Sequence, residues 1–163
     1  MSHLWTMAKP NGKGTGCAIT LELNPAHGCV DGYIALRMAR QTAIVHRDQG
    51  VVMDLFDWPR AVKMKLGIDD IAHMLEVLRG AANSIDDGKG LFHRTATMNA
   101  ILRLERRLEP VCGYLLEVKR RLTDTPDASM EQWDFLFRPR EAHMLMLAME
   151  HSVPMLAFGW PSA

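Results

Sequence analysis

The sequence predicts an α+β fold made of two similar halves, each four strands closed by one helix, with antiparallel sheets and both helices packed on one side. Three observations carry that prediction. Short runs alternate apolar and polar side chains, the two-residue period of half-buried strands. The period then lengthens to helical spacing at Ile68, Ile71, Ala72, Leu75 and Leu78. Finally, the order of elements occurs twice, and so does a tetrapeptide: Ala72-His73-Met74-Leu75 returns as Ala142-His143-Met144-Leu145, 70 residues on.

In chain order, residues 1–16 hold Pro10, Gly12, Gly14 and Gly16 and read as a flexible lead-in without the apolar stretch of a secretory signal. A single domain spans residues 17–163. In its first half (about 17–82), Ile19, Leu21 and Leu23 alternate with Thr20 and Glu22, which predicts the first strand. Ile34, Leu36 and Met38 against Arg37 predict the second. Residues 51–56, after Asp48-Gln49-Gly50, are read as the third. Val62, Met64 and Leu66 against Lys63 and Lys65 predict the fourth. Asp69 and Asp70 then sit in the first turn of the helix, where carboxylates suit its dipole, and Arg79-Gly80 closes it.

Residues 83–90 connect the halves. In the second half (about 89–153), strands are predicted over 91–98, 101–108, 114–122 and about 133–137, the last from Trp133, Phe135 and Phe137 alternating inward. Pro139 starts the second helix at the position where a missing N–H costs nothing. The spacing ends that helix near Ser152, before Pro154, and leaves residues 155–160 as an apolar tail that adds a short strand or a packing segment.

Four strands and a helix, repeated in about 150 residues, resemble the plant Whirly proteins and the trypanosome guide-RNA-binding mitochondrial proteins. The half unit is similar to the Pur-alpha repeat and to transcriptional positive cofactor four. The resemblance covers residues 16–158 and lies in element order and length; the Lys-Gly-Lys-Ala motif of Whirly proteins has no counterpart here. It implies helices on one side of the sheets, single-stranded DNA or RNA along the other side or the sheet edges, and assembly as dimers or tetramers.

Strand parity gives the residue chemistry to set beside that implication. With Ile34, Leu36, Met38, Val62, Met64, Leu66, Leu102, Leu104, Leu116 and Val118 packed under the helices, the opposite faces carry Tyr33, Arg37, Lys63, Lys65, Arg103, Arg107, Lys119 and Arg121. Glu105 and Glu117 interrupt the set. Formal charge is zero, with 19 Lys plus Arg against 19 Asp plus Glu, so there is no global pull on a polyanion. Residues 89–121, however, hold eight basic and three acidic residues. The eight side chains from Tyr33 to Arg121 that parity turns outward are the predicted single-stranded DNA- or RNA-binding set, on an outer sheet face. The alternative is a solvated face whose charges block edge pairing, on a protein–protein interaction module of the same scaffold. Trp58, before Pro59, is a candidate loop platform for a base.

Ala142, Met144, Leu145, Met146, Leu147, Ala148 and Met149 cover nearly every face of the second helix, where one sheet needs a stripe of about 100°. The pattern predicts a second packing partner, a further copy of the chain, through Met144, Met146, Leu147 and Met149. Burial under the tail is the competing reading.

Catalytic signatures are absent: there is no nucleophile elbow, P-loop or dinucleotide fingerprint. Residues 12–16 are glycine-rich but follow no predicted strand. Cys17, His27 and Cys29 lack a fourth ligand, so neither metal nor cofactor is expected. No apolar run reaches the length of a membrane span. Three scattered cysteines point to the cytoplasm or another reducing interior.

Overall fold

A computed structural model of the chain describes residues 4–44 and 51–160. Their elements run β1 (Leu4–Lys9), β2 (Cys17–Asn24), β3 (Tyr33–Arg40), β4 (Val62–Leu66), α1 (Ile68–Leu78), β5 (Leu91–Arg94), β6 (Met98–Arg107), β7 (Gly113–Leu122), β8 (Glu131–Phe137) and α2 (Pro139–Phe158). The strands form two antiparallel meanders in the order β1-β2-β3-β4 and β5-β6-β7-β8. The predicted class and the ββββα order are the ones the chain adopts.

Alternation decides which face of each sheet is covered. In β4, Val62, Met64 and Leu66 are buried while Lys63 and Lys65 are exposed. All ten residues expected to face inward are buried. With Trp133, Phe135 and Phe137 of β8, they share one continuous hydrophobic cluster with Ile71, Met74 and Leu78 of α1 and with Ala142, Leu145, Met149 and Leu156 of α2. Both helices therefore lie on the inner side of the sheets. Each begins with a carboxylate folded back on its own N-cap: Asp70 accepts from the Gly67 N–H at 3.1 Å and Glu141 from the Arg138 N–H at 2.9 Å.

Three expectations change. The lead-in is not loose over its described length, because residues 4–9 form edge strand β1, with partly buried Trp5 and Met7 packed against the core; residues 1–3 lie outside the described residues. Residues 51–56 are not a strand. They hold a short 3-10 turn over Val52–Leu55, and Phe56, Met53 and Leu55 pack on the outer-face alanines Ala18 and Ala39. β3 and β4, which this run was expected to separate, pair directly, and β1 supplies the fourth strand at the opposite edge, beside β2. Third, α2 does not stop before Pro154 but runs to Phe158. A proline there forfeits the hydrogen bond to the Glu150 carbonyl. The turns beyond it are held instead by buried Leu156 and by the β2–β3 connection, whose Ala26 and Gly32 N–H groups donate to the Met155 and Leu156 carbonyls at 3.0 Å each.

The tetrapeptide copies are not structurally equivalent. Counted from the N-caps Gly67 and Arg138, one copy starts at the fifth residue and the other at the fourth. Burial follows the cap and not the letters: Met74 is in the core, whereas Met144 is 53% exposed. The repeat resides in the order of elements.

Where the halves meet, charged groups lie on rings. The buried Trp133 indole has the Arg40 guanidinium 4.6 Å from its ring centroid and that of Arg120 at 4.8 Å. Arg40 comes from the first half and donates to the Gln132 carbonyl; Arg120, from the second, is held by Glu131 at 2.7 Å. Lys9 of β1 forms an ion pair with Glu141 at the start of α2. Partial burial raises the pKa of Glu141, but the Lys9 hydrogen bond and the Arg138 N–H more than offset it, leaving this carboxyl below its ordinary 4.5.

Two predictions follow from this packing. A methyl group on Gly32 would meet the Leu156 Cα at 2.7 Å and the Asn24 carbonyl at 2.8 Å, so Gly32→Ala should lower unfolding free energy by about 1–3 kcal/mol in urea titration. Glu141→Gln should cost about 0.5–1 kcal/mol at pH 7, through the lost ion pair with Lys9, because the amide oxygen can still accept from the Arg138 N–H. Because the folded pKa is depressed, that contribution is present above pH 4.5 and is lost as pH falls through the folded value. Melting curves of variant and wild type should therefore converge in acid.

Candidate functional site

The outer face of the first sheet is built in rows. Register sets Arg37 beside Lys63 and Ala35 beside Lys65, with Tyr33 one step along β3. In β2, Thr20 lies opposite Arg37, Glu22 opposite Ala35 and Asn24 opposite Tyr33. The β3–β4 connection folds back over the far end of this face, burying Phe56 and Ala61 against Ala18 and Ala39. What stays open is the end that carries Tyr33 and the two lysines.

The β5–β6 hairpin closes the other side. Phe92, Arg94, Thr95 and Met98 face Tyr33, Arg37, Lys63 and Lys65 across a groove of about 700 Å³. Phe92 is 77% exposed. Lys65 lies 4.7 Å from the Tyr33 ring centroid, and Arg37 lies 5.4 Å from that of Trp58 while donating to the Trp58 carbonyl at 3.3 Å. The Arg37 Nε is buried without a hydrogen-bond partner. Among the described residues, Lys63, Lys65 and Arg94 have no carboxylate within ion-pair distance. The groove thus offers several uncompensated cations beside the exposed Phe92 ring and the partly buried Tyr33, over a floor kept low by Ala35.

Four of the eight residues singled out by parity line this groove: Tyr33, Arg37, Lys63 and Lys65. The other four, Arg103, Arg107, Lys119 and Arg121, lie on the outer face of the second sheet, and three of them are paired there. Arg103 and Lys119 share Glu117 at 3.3 and 3.5 Å, and Arg107 meets Glu105 at 2.7 Å. Arg121 is exposed and lies opposite Asn99, whose other neighbour is Arg94 at the groove mouth. Of the cations in the basic stretch 89–121, Arg103, Arg107, Lys119 and Arg120 are therefore engaged with carboxylates, whereas Arg94 and Arg121 have none within ion-pair distance among the described residues. Phe92 and Arg94 escaped the sequence reading, although the same parity that buries Leu91 turns Phe92 outward.

Of the four α2 residues expected at an interface, Met149 is 1% exposed and belongs to the chain's own core. Met146 and Leu147 are half-buried, and Met144 is open. Met144, Ala148, His151 and Met155 share one face, beside an apolar groove of about 320 Å³ that also takes in Trp5 and Leu23.

Other candidates dissolve. The N–H groups of residues 13–16 are committed internally: Lys13 and Thr15 donate to the Asn11 side chain at 3.0 Å, Gly14 to the Asn11 carbonyl, and Gly16 to Gln41. None is left to cradle a phosphate. Cys17 is buried while Cys29 is exposed, and no group of three or more potential metal ligands occurs among the described residues. No helix among the described residues is long and apolar enough to cross a membrane.

By sequence, no family model matches the chain and no curated protein is significantly similar to it. Solved structures are. WHY1 from Arabidopsis thaliana superposes with a TM-score of 0.73 at 16% identity, over 97% of this chain and 86% of its own. The chain has a Whirly-like fold. The plant transcriptional regulator PBF-2 gives a TM-score of 0.72 at 16% identity, covering 96% of this chain and 82% of its own. A guide-RNA-binding protein complex, solved bound to a gRNA, gives 0.59 at 18% identity, covering 94% and 90%. The Whirly-like fold accommodates such divergence because what it requires is the alternation of faces.

Burial pushes the Cys17 thiol up to about 12, with Asp134 adding to the effect and Arg40 opposing it. Iodoacetamide at pH 8 should therefore label Cys29 and Cys112 in the native chain and reach Cys17 only after denaturation, as counted by mass spectrometry.

Proposed function

We propose that this chain is a non-enzymatic protein that binds single-stranded DNA or RNA in the groove between the outer face of the first sheet and the β5–β6 hairpin. The observation that carries the reading is the coincidence, in one groove, of Lys63, Lys65, Arg37 and Arg94 with Tyr33 and Phe92, where Glu22 is the sole carboxylate in the lining. Unpaired cations neutralise phosphates, and exposed rings stack on bases whatever their identity. A protein of the same fold solved bound to a gRNA supports the partner class. Arg103, Arg107 and Lys119, already paired, contribute little.

We also propose that copies associate through the outward face of α2, centred on Met144 with Leu147 and Ala148 beside it, which would cover the apolar groove next to Trp5. The three free cysteines suit a reducing compartment such as the cytoplasm.

Fluorescence anisotropy of a labelled single-stranded oligonucleotide tests the binding reading. Affinity should fall steeply with salt, and Lys63→Ala/Lys65→Ala should flatten the slope by about 0.7 per lost phosphate contact. Phe92→Ala should weaken binding by about 1–3 kcal/mol. The Arg103→Ala/Arg107→Ala/Lys119→Ala variant should stay within about 2-fold of wild type, its pairs being surface ion pairs. Absence of binding at low salt would defeat the proposal in favour of a protein-interaction module. For association, Met144→Glu should reduce the mass measured by light scattering while leaving the melting temperature unchanged.

A further inference from the structure

Glu22 stands apart from every other group in the groove. It projects from β2 on the same face as Tyr33 and Lys65, is partly buried, and has no ion-pair partner among the described residues. Its row reads Glu22, Ala35, Lys65 across β2, β3 and β4. Neighbouring strands are about 4.8 Å apart, so two strands separate the carboxylate from the lysine by roughly 10 Å, with only a methyl group between them. The two side chains form no ion pair among the described residues, and the groove lies open over Ala35 between them, where a base can be laid. Beyond Lys65 the lining continues with Phe92 and Arg94. The groove therefore has a cationic side and an anionic end, and a nucleotide lying across it has only one electrostatically acceptable orientation. Its phosphate faces the lysines of β4, and its base edge faces Glu22.

A carboxylate accepts hydrogen bonds and donates none. The edges of unpaired bases differ in what they offer it. Guanine presents N1–H and the N2 amino group side by side, matching the two carboxylate oxygens. Cytosine and adenine present one amino group each. Thymine and uracil present a single N3–H flanked by two carbonyl oxygens that repel the carboxylate. In a single strand these edges are free to be read.

Resting on the binding reading above, we infer that Glu22 is a specificity-determining residue that selects guanine over thymine or uracil at the position beside Ala35. The ligand class is thereby narrowed to guanine-containing single strands. Thr20, next along β2, is itself buried, and Asn24 already donates to the Glu22 carbonyl, so the other polar groups of this strand are poorly placed to take over the role.

The test compares a labelled oligo-dT with the same length of dT carrying isolated guanines, spaced to prevent guanine self-association, at one fixed salt concentration. Wild type should bind the guanine-containing strand on the order of 10-fold more tightly, the discrimination of one bidentate base contact. Glu22→Ala should lose the preference while binding oligo-dT as well as wild type or better, because a negative charge has left the groove. Glu22→Gln, which keeps the shape and can donate as well as accept, should also lose it, and melting curves would establish that both variants fold. Equal binding of the two strands by wild type, or a preference that survives Glu22→Ala, would overturn the assignment while leaving the binding reading intact. If neither strand binds at low salt, both fall together.

Discussion

The inner faces of both sheets are committed to one shared core beneath two helices, and the rest of the molecule follows from that commitment. A strand that sends Val62, Met64 and Leu66 inward must send Lys63 and Lys65 outward. The eight strands repeat this logic, so an outer surface of polar and charged side chains is a by-product of building the interior. The same constraint explains how a chain 16% identical to WHY1 can share its architecture: alternation can be satisfied by many sequences.

Outer faces made this way are not equivalent, and charge pairing separates them. On the second sheet, Glu105 and Glu117 stand among the arginines and lysines and compensate Arg103, Arg107 and Lys119 at 2.7–3.5 Å. On the first, the carboxylate is two strands away from the lysine in its row, and the cations are left to face solvent. The folded-back β3–β4 connection adds the second distinction. By covering Ala18 and Ala39 it walls one end of the first sheet and turns an open face into a groove. A sheet face becomes a site through what is missing from it and what encloses it.

Much of this was legible in the sequence, and the failures have physical causes. Strand parity identified Tyr33, Arg37, Lys63 and Lys65, because alternation is a local property that tertiary structure preserves. Net charge along the chain pointed to residues 89–121, but pairing is a cross-strand property: Arg103 and Glu117 are 14 positions apart in sequence and opposite each other in the sheet. Residues 51–56 look like a strand because an apolar run that caps a sheet face has the composition of one that joins the sheet. β1 was hidden by the proline and glycines that follow it, which set the apparent character of the whole segment. Pro154 marked a helix end that outside donors removed, and such donors leave no trace in local sequence. The matching tetrapeptides pointed to a repeat that exists, although they do not occupy matching places in it.

The placement of Trp133 has an optical consequence. Its indole is contacted by guanidinium groups supplied by different halves of the chain, Arg40 from one and Arg120 from the other. Any motion that parts the halves has to unstack this ring and admit water to it. With Trp5, Trp58 and Trp160 replaced by phenylalanine, the emission of this tryptophan would therefore report separation of the halves with no dye attached to the protein.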